Sequence, residues 1–135
     1  MNTKIIMTSS AIILGIAGIL LLFIPDEIAA LIVRSSDLYL RLLFQILGAL
    51  YFGFAMLNWM ARDSAIGGIY NRPVTVANLS HFAIGALALI KGIMADHQPS
   101  LLFLVMTLLY MAFAVSFGAL LFTHPDAPAG HEKKD

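Results

Sequence analysis

The sequence predicts an all-α integral membrane protein: a four-helix bundle with a short interfacial helix between its first two spans. Of 135 residues, 60% are hydrophobic and 12% charged, against roughly 45–50% and about 25% in soluble domains. The apolar residues fall in long uninterrupted runs rather than alternating with polar ones. Four of these runs approach the ~20 residues that a helix needs to cross about 30 Å of hydrocarbon.

The first span runs from about residue 5 to 24 and is stopped by Pro25, Asp26 and Glu27. Lys4 ahead of an apolar run also has the form of a signal peptide. The run exceeds the roughly 7–15 residues of an h-region, however, and "LLFIPDE" offers no small-x-small cleavage site, so the segment is expected to stay as a span. The stretch "DEIAALIVRSSD" that follows is too short and too charged to cross. Ile28, Ala29, Leu31 and Ile32 beside Asp26, Glu27 and Arg34 suit a short amphipathic helix lying in the interface.

The second span covers residues 38–61 and stops at Arg62 and Asp63. After the turn-rich "RDSAIGGIYNR", Pro73 suits the first turn of a third helix, 74–95. "DHQP" is so short that the fourth span, 100–122, must be its antiparallel neighbour. Together these make one transmembrane domain, residues 1–124, followed by a polar, proline-containing tail, 125–135, that is expected to be disordered.

Lys4, Arg62, Arg72, Lys133 and Lys134 gather on one side of the bundle, against Arg34, Arg41 and Lys91 on the other. This bias predicts that both termini face the cytoplasm. Lipid gives apolar helices little reason to associate, so small residues that let backbones approach carry the packing. Each span has such a track: Ala11, Gly15 and Gly18; Ala49 and Gly53; Gly85, Ala88 and Gly92; Ala112, Ser116 and Ala119.

Polar side chains inside the spans fall in two layers. In the layer nearer the interfacial helix, Arg41 and Gln45 of the second span come level with Lys91 of the third. Arg41 and Lys91 lie near enough to the surface to snorkel. The alternative is a pocket in which Arg41, Gln45 and Lys91, with Glu27 or Asp37 as counter-charge, receive an anionic or carbonyl-bearing ligand such as a lipid headgroup or a quinone. Gln45, too short to snorkel, favours the pocket.

In the layer nearer the termini, Asn58 comes level with Asn78, and His81 lies deeper. These three are expected to make interhelical hydrogen bonds, with a proton relay or ligand contact through His81 as the alternative. His81 is predicted to face the interior, against residues 54–58 or a Ser or Thr of the first span. Tyr51 and Tyr110 need partners inside the bundle if they do not reach a headgroup region, and Trp59 beside Arg62 is expected to form an interfacial anchor.

Several functions lack their residues. A net charge of zero creates no field for nucleic acid, and without cysteine there is no disulfide, thiolate site or Cys nucleophile. A bis-His haem needs two facing histidines, whereas only His81 lies well inside a span. A proton-coupled exporter needs a membrane-embedded carboxylate, and no span interior holds one. No metal-ligand spacing, phosphate-binding Gly loop or serine elbow is present.

"RLLFQILGALYFGFAMLNWMAR", preceded by a span ending "FIPDEI", resembles small four-helix bacterial membrane proteins of the DoxX-like kind. The resemblance lies in the layout of the bundle. It implies a bacterial inner-membrane protein with a link to quinone chemistry, and it transfers no active-site residues.

The expected function is therefore an accessory subunit of a membrane complex or a binder of a small lipophilic ligand, a lipid or quinone. The alternatives are a small oligomeric transporter or channel and, less favoured, a quinone- or lipid-dependent enzyme around Arg41, Gln45 and His81. Expected partners are membrane lipids and either further copies of the chain or a larger complex, with no resident cofactor required.

Overall fold

A computed structural model describes residues 2–32, 37–63, 72–95 and 99–122. Arg34, Ser35, Asp96, His97, His124, the "RDSAIGGIYNR" turn beyond Asp63 and the C-terminal tail lie outside the described residues. Within them there are five helices and no strand: α1 Thr3–Phe23, α2 Pro25–Ile32, α3 Leu38–Ala61, α4 Arg72–Ala95 and α5 Leu101–Phe122. All but α2 are long and apolar enough to cross a membrane. The protein is thus a multi-pass all-α membrane bundle, with the short helix between its first two spans as the sequence predicts.

Local chemistry sets the helix starts. The Asn2 side chain caps α1 by accepting from the Lys4 amide at 3.1 Å, and Asp37 caps α3 by accepting from Leu40 at 2.7 Å. Ser100 accepts from Phe103 at 3.3 Å ahead of α5. Each oxygen satisfies an amide that the first helical turn leaves without a partner. Pro25 opens α2, where its missing N–H costs nothing.

The spans run alternately up and down, so that α1, α3, α4 and α5 follow one another around the bundle, each antiparallel to the next. Packing is uneven around this ring. α1 lies closely along α3, and α4 along α5, whereas the two pairs meet more sparsely at the α1–α5 and α3–α4 edges. The α1–α3 contact is tight because glycines face each other. A Cβ on Gly18 would fall 2.8 Å from the Gly48 carbonyl oxygen, and one on Gly48 would fall 2.8 Å from that of Gly18.

Only some of the small-residue tracks lie at contacts. Ala11, Gly15 and Gly18 face α3, and Gly85 and Gly92 seat the rings of Tyr110 and Phe103. In α3 the contact residues are Gly48 and Ala55, while Ala49 is exposed and a Cβ on Gly53 would meet nothing within 4 Å. In α5, Ala112 and Ala119 are exposed, and Phe113, Phe117 and Leu120 are buried instead. That helix packs by filling space with aromatic rings: Phe82 of α4 stacks on Phe113 at 4.9 Å and on Phe117 at 5.7 Å. Ile46, Ile84, Leu108 and Val115, all more than half exposed, form part of an apolar outer surface suited to lipid.

Candidate functional site

At the end of the bundle that holds Thr3 and Ala61, three helices are joined by amides. Asn58 of α3 donates through Nδ2 to Asn78 Oδ1 of α4 at 2.8 Å and to Ser10 Oγ of α1 at 3.0 Å. Asn78 Nδ2 returns a bond to Asn58 Oδ1 at 2.7 Å and donates also to the Val74 carbonyl at 2.9 Å. All three side chains are fully buried. Both amide groups of this pair are thereby used, with Ser10 passing its own proton to the Met7 carbonyl at 3.0 Å. The arrangement clasps the two helix pairs together and leaves no amide N–H directed at a ligand.

Outside this clasp, Lys4 pairs with Asp63 at 2.7 Å. Its hydrogen bond holds the Asp63 carboxyl below the usual carboxylate range, opposed by slight desolvation and assisted by the charges of Lys4 and Arg62. The Arg62 guanidinium lies 3.9 Å from the Trp59 ring centroid and donates to the Trp59 carbonyl at 2.7 Å. The two side chains expected to anchor this end are thus in direct contact.

One turn deeper a second polar group forms. His81 of α4 faces the interior, stacked on Phe54 at 4.8 Å and edge-on to Tyr51 at 5.5 Å. Its Nε2 lies 3.4 Å from the Tyr110 hydroxyl of α5, which in turn is hydrogen-bonded to the Tyr51 hydroxyl of α3. The backbones of α3 and α5 lie diagonally across the bundle and make no close approach. Two phenols, reaching inward from opposite corners, bridge that distance.

Such a row has direction. When Tyr110 donates to Tyr51, its oxygen accepts from His81 Nε2–H; Tyr51 then keeps a proton to give, and His81 Nδ1 is a bare acceptor. Reversing every bond exchanges the ends. Either way the row presents one donor and one acceptor beyond its internal bonds.

The row forms part of the wall of a cavity of about 540 Å³ in the sparse α3–α4 edge. α3 contributes Leu50 and Phe54, α4 contributes Ala77, Ser80 and Ile84, and Tyr110 closes the floor. Gly85 makes room for this floor, since a Cβ there would come within 2.6 Å of Tyr110 Cδ1. Apart from the row and Ser80, the wall is apolar. A second cavity, of about 270 Å³, lies toward α2, lined by α1, α3 and α5 with Phe82 of α4, and reaches the surface where Leu20 and Leu102 are exposed. Leu47, Tyr51, Met106 and Tyr110 line both cavities.

In the expected layer near α2, the counter-charge of Arg41 is Asp26. Arg41 Nε pairs with Asp26 Oδ1 at 3.1 Å, tying α2 to α3, rather than with Glu27 or Asp37. Asp37 serves as the α3 cap, and Glu27 is exposed without an ion pair among the described residues. Gln45 is half-buried, and neither of the two cavities has Arg41, Gln45 or Lys91 in its wall. Lys91 is exposed near the end of α4, where its stem and charge suit snorkelling.

The inner layer is partly as expected. Asn58 and Asn78 do meet, and His81 does lie beside Phe54, but His81 belongs to the tyrosine row rather than to the asparagine clasp. The signal for that row was two tyrosines placed mid-span, each obliged to find a partner in hydrocarbon. Among the described residues no three His, Asp or Glu side chains converge as metal ligands would. Compared with known protein families, curated proteins and solved structures, the chain gives no match.

Proposed function

We propose that the protein binds a small lipophilic molecule with a neutral hydrogen-bonding head, a quinone or a lipid, in the groove between α3 and α4. The observation that carries this is the polar row His81–Tyr110–Tyr51 at the wall of an otherwise apolar cavity of about 540 Å³. Small-molecule sites are typically cavities of roughly 300–1,000 Å³, mostly apolar, with a few placed polar groups that orient the ligand. A carbonyl would accept from the free donor of the row, and a hydroxyl would in addition donate to its acceptor. A fixed charge would meet no counter-ion, because the groove wall contains no Asp, Glu, Lys or Arg. The apolar rim, with Leu50 and Ile84 more than half exposed, suits entry sideways from the bilayer.

This function needs no chemical step, and fits a carrier or accessory subunit that holds a membrane-soluble molecule for a larger assembly. The test is native mass spectrometry of gently extracted protein. Ala88 is exposed and lines the groove, so Ala88→Phe obstructs it without touching the core. His81→Leu removes one end of the row and keeps its bulk. Each is expected to lower occupancy by a co-purifying lipophile about tenfold, or about 1.4 kcal/mol. Equal occupancy in wild type and both variants would overturn the proposal.

A further inference from the structure

We infer that the second cavity is a hydrocarbon-chain chamber of the same site, so that the ligand is an amphiphile with a neutral head and one flexible chain. This presupposes the groove as the head site. The second cavity, of about 270 Å³, is walled by apolar side chains such as Leu14, Ala17, Leu20 and Leu102, and its polar atoms are confined to the Tyr51 and Tyr110 side. An apolar cavity stays dry, and one of roughly 150 Å³ accepts a benzene. On that scale the chamber takes about ten carbons. α2 lies at its end: Ile28 lines the cavity, and the next residue of the same helix, Ala29, is 1% exposed.

The wall shared by the two cavities indicates how the chain enters. Tyr51 and Tyr110 are joined by their hydroxyls, whereas Leu47 and Met106, one turn nearer α2 on the same two helices, are joined by nothing polar. Both are only half-buried. Met106 has three freely rotating side-chain bonds and adapts its shape at little cost. Its displacement joins the cavities while leaving the tyrosine pair intact. The head then stays at the row, and the chain bends past Met106 toward α2. A molecule with two chains would leave one in the groove or in the bilayer, so a single chain suits the volumes better.

Quinones and monoacylglycerols share this chemistry, and paired probes separate them. A benzoquinone and a monoacylglycerol, each with a ten-carbon chain ending in a photoactivatable diazirine, are added to the full-length protein in nanodiscs. Irradiation is expected to label the buried chamber residues Leu14, Leu21 or Phe82, with the stronger labelling naming the head class. Ala17→Leu, which fills the chamber alone, should lower this labelling about tenfold while native mass spectrometry still finds the head-bearing probe retained. Labels confined to Leu50, Ile84 and Ala88, unchanged by Ala17→Leu, would refute the chamber and leave the groove site standing. Failure of both probes to label either set above the level in Ala88→Phe would remove the groove site and the chamber together.

Discussion

Among single residues, depth and reach separate those that hold the bundle from those that serve the groove. Asn58 and Asn78 satisfy each other, Ser10 and the backbone, and a partner left behind after substitution has no water to turn to. Asn58→Leu should therefore cost about 1–3 kcal/mol in unfolding free energy measured in micelles. The double variant Asn58→Leu/Asn78→Leu should cost less than the sum of the two, and simple additivity would show the clasp to be inconsequential. Gln45 offers the opposite case. Because it lines neither cavity, Gln45→Leu should leave the occupancy of the co-purifying lipophile unchanged, and a loss would return the site to the Arg41 layer. The interior place of His81 was legible from its depth in the span, where an imidazole turned to lipid would lack a hydrogen-bond partner. Its partners were not, because Tyr51 and Tyr110 reach it across the diagonal of the bundle, and no pattern within one helix encodes a contact between helices whose backbones stay apart.

At the scale of elements, the sequence marked where helices exist more clearly than which faces they join. Pro25, Asp37 and Ser100 sit at or next to the starts of α2, α3 and α5, as their chemistry requires. Small-residue spacing was a weaker guide. Gly18 and Gly48 form the close crossing, whereas Gly53 faces open space, since small residues recur by chance in apolar helices. Gly48→Leu should destabilise the α1–α3 pair by about 1–3 kcal/mol through overpacking against a backbone carbonyl. Gly53→Leu should be nearly neutral in the same unfolding assay, and equal costs would contradict the crossing. The Lys4–Asp63 pair, which links the start of α1 to the end of α3, carries a pH signature. The folded carboxyl titrates below its unfolded value, so its stabilisation is present above the unfolded pKa and disappears as pH falls through the folded one. The Tm difference between wild type and Asp63→Asn should be small, present near about pH 6 and shrinking as the pH falls below about 3.9. A difference that grows on acidification would reverse the sign.

For the whole molecule, the membrane class and the alternating bundle followed from composition and run length, because lipid admits few backbone solutions. The uneven packing of that bundle did not. Two tight helix pairs leave a groove where they meet loosely, and this depends on how Gly18, Gly48 and the α4–α5 rings fill space in three dimensions. Orientation is a separate question. The Lys and Arg bias predicts that Ser35→Cys is labelled by an impermeant thiol reagent from outside and Ala127→Cys only from inside, and the reverse would overturn that topology. The central claim is that the α3–α4 groove, unlike the rest of the lipid-facing surface, selects its occupant. It is tested most directly by a photo-crosslinking amino acid placed at Ile84, in the groove wall, and separately at Val115, on α5 and outside both cavities. After irradiation in native membranes and mass spectrometry of the adducts, Ile84 should carry one predominant lipophile and Val115 a mixture following bulk lipid composition. The same bulk mixture at both positions would contradict a selective groove.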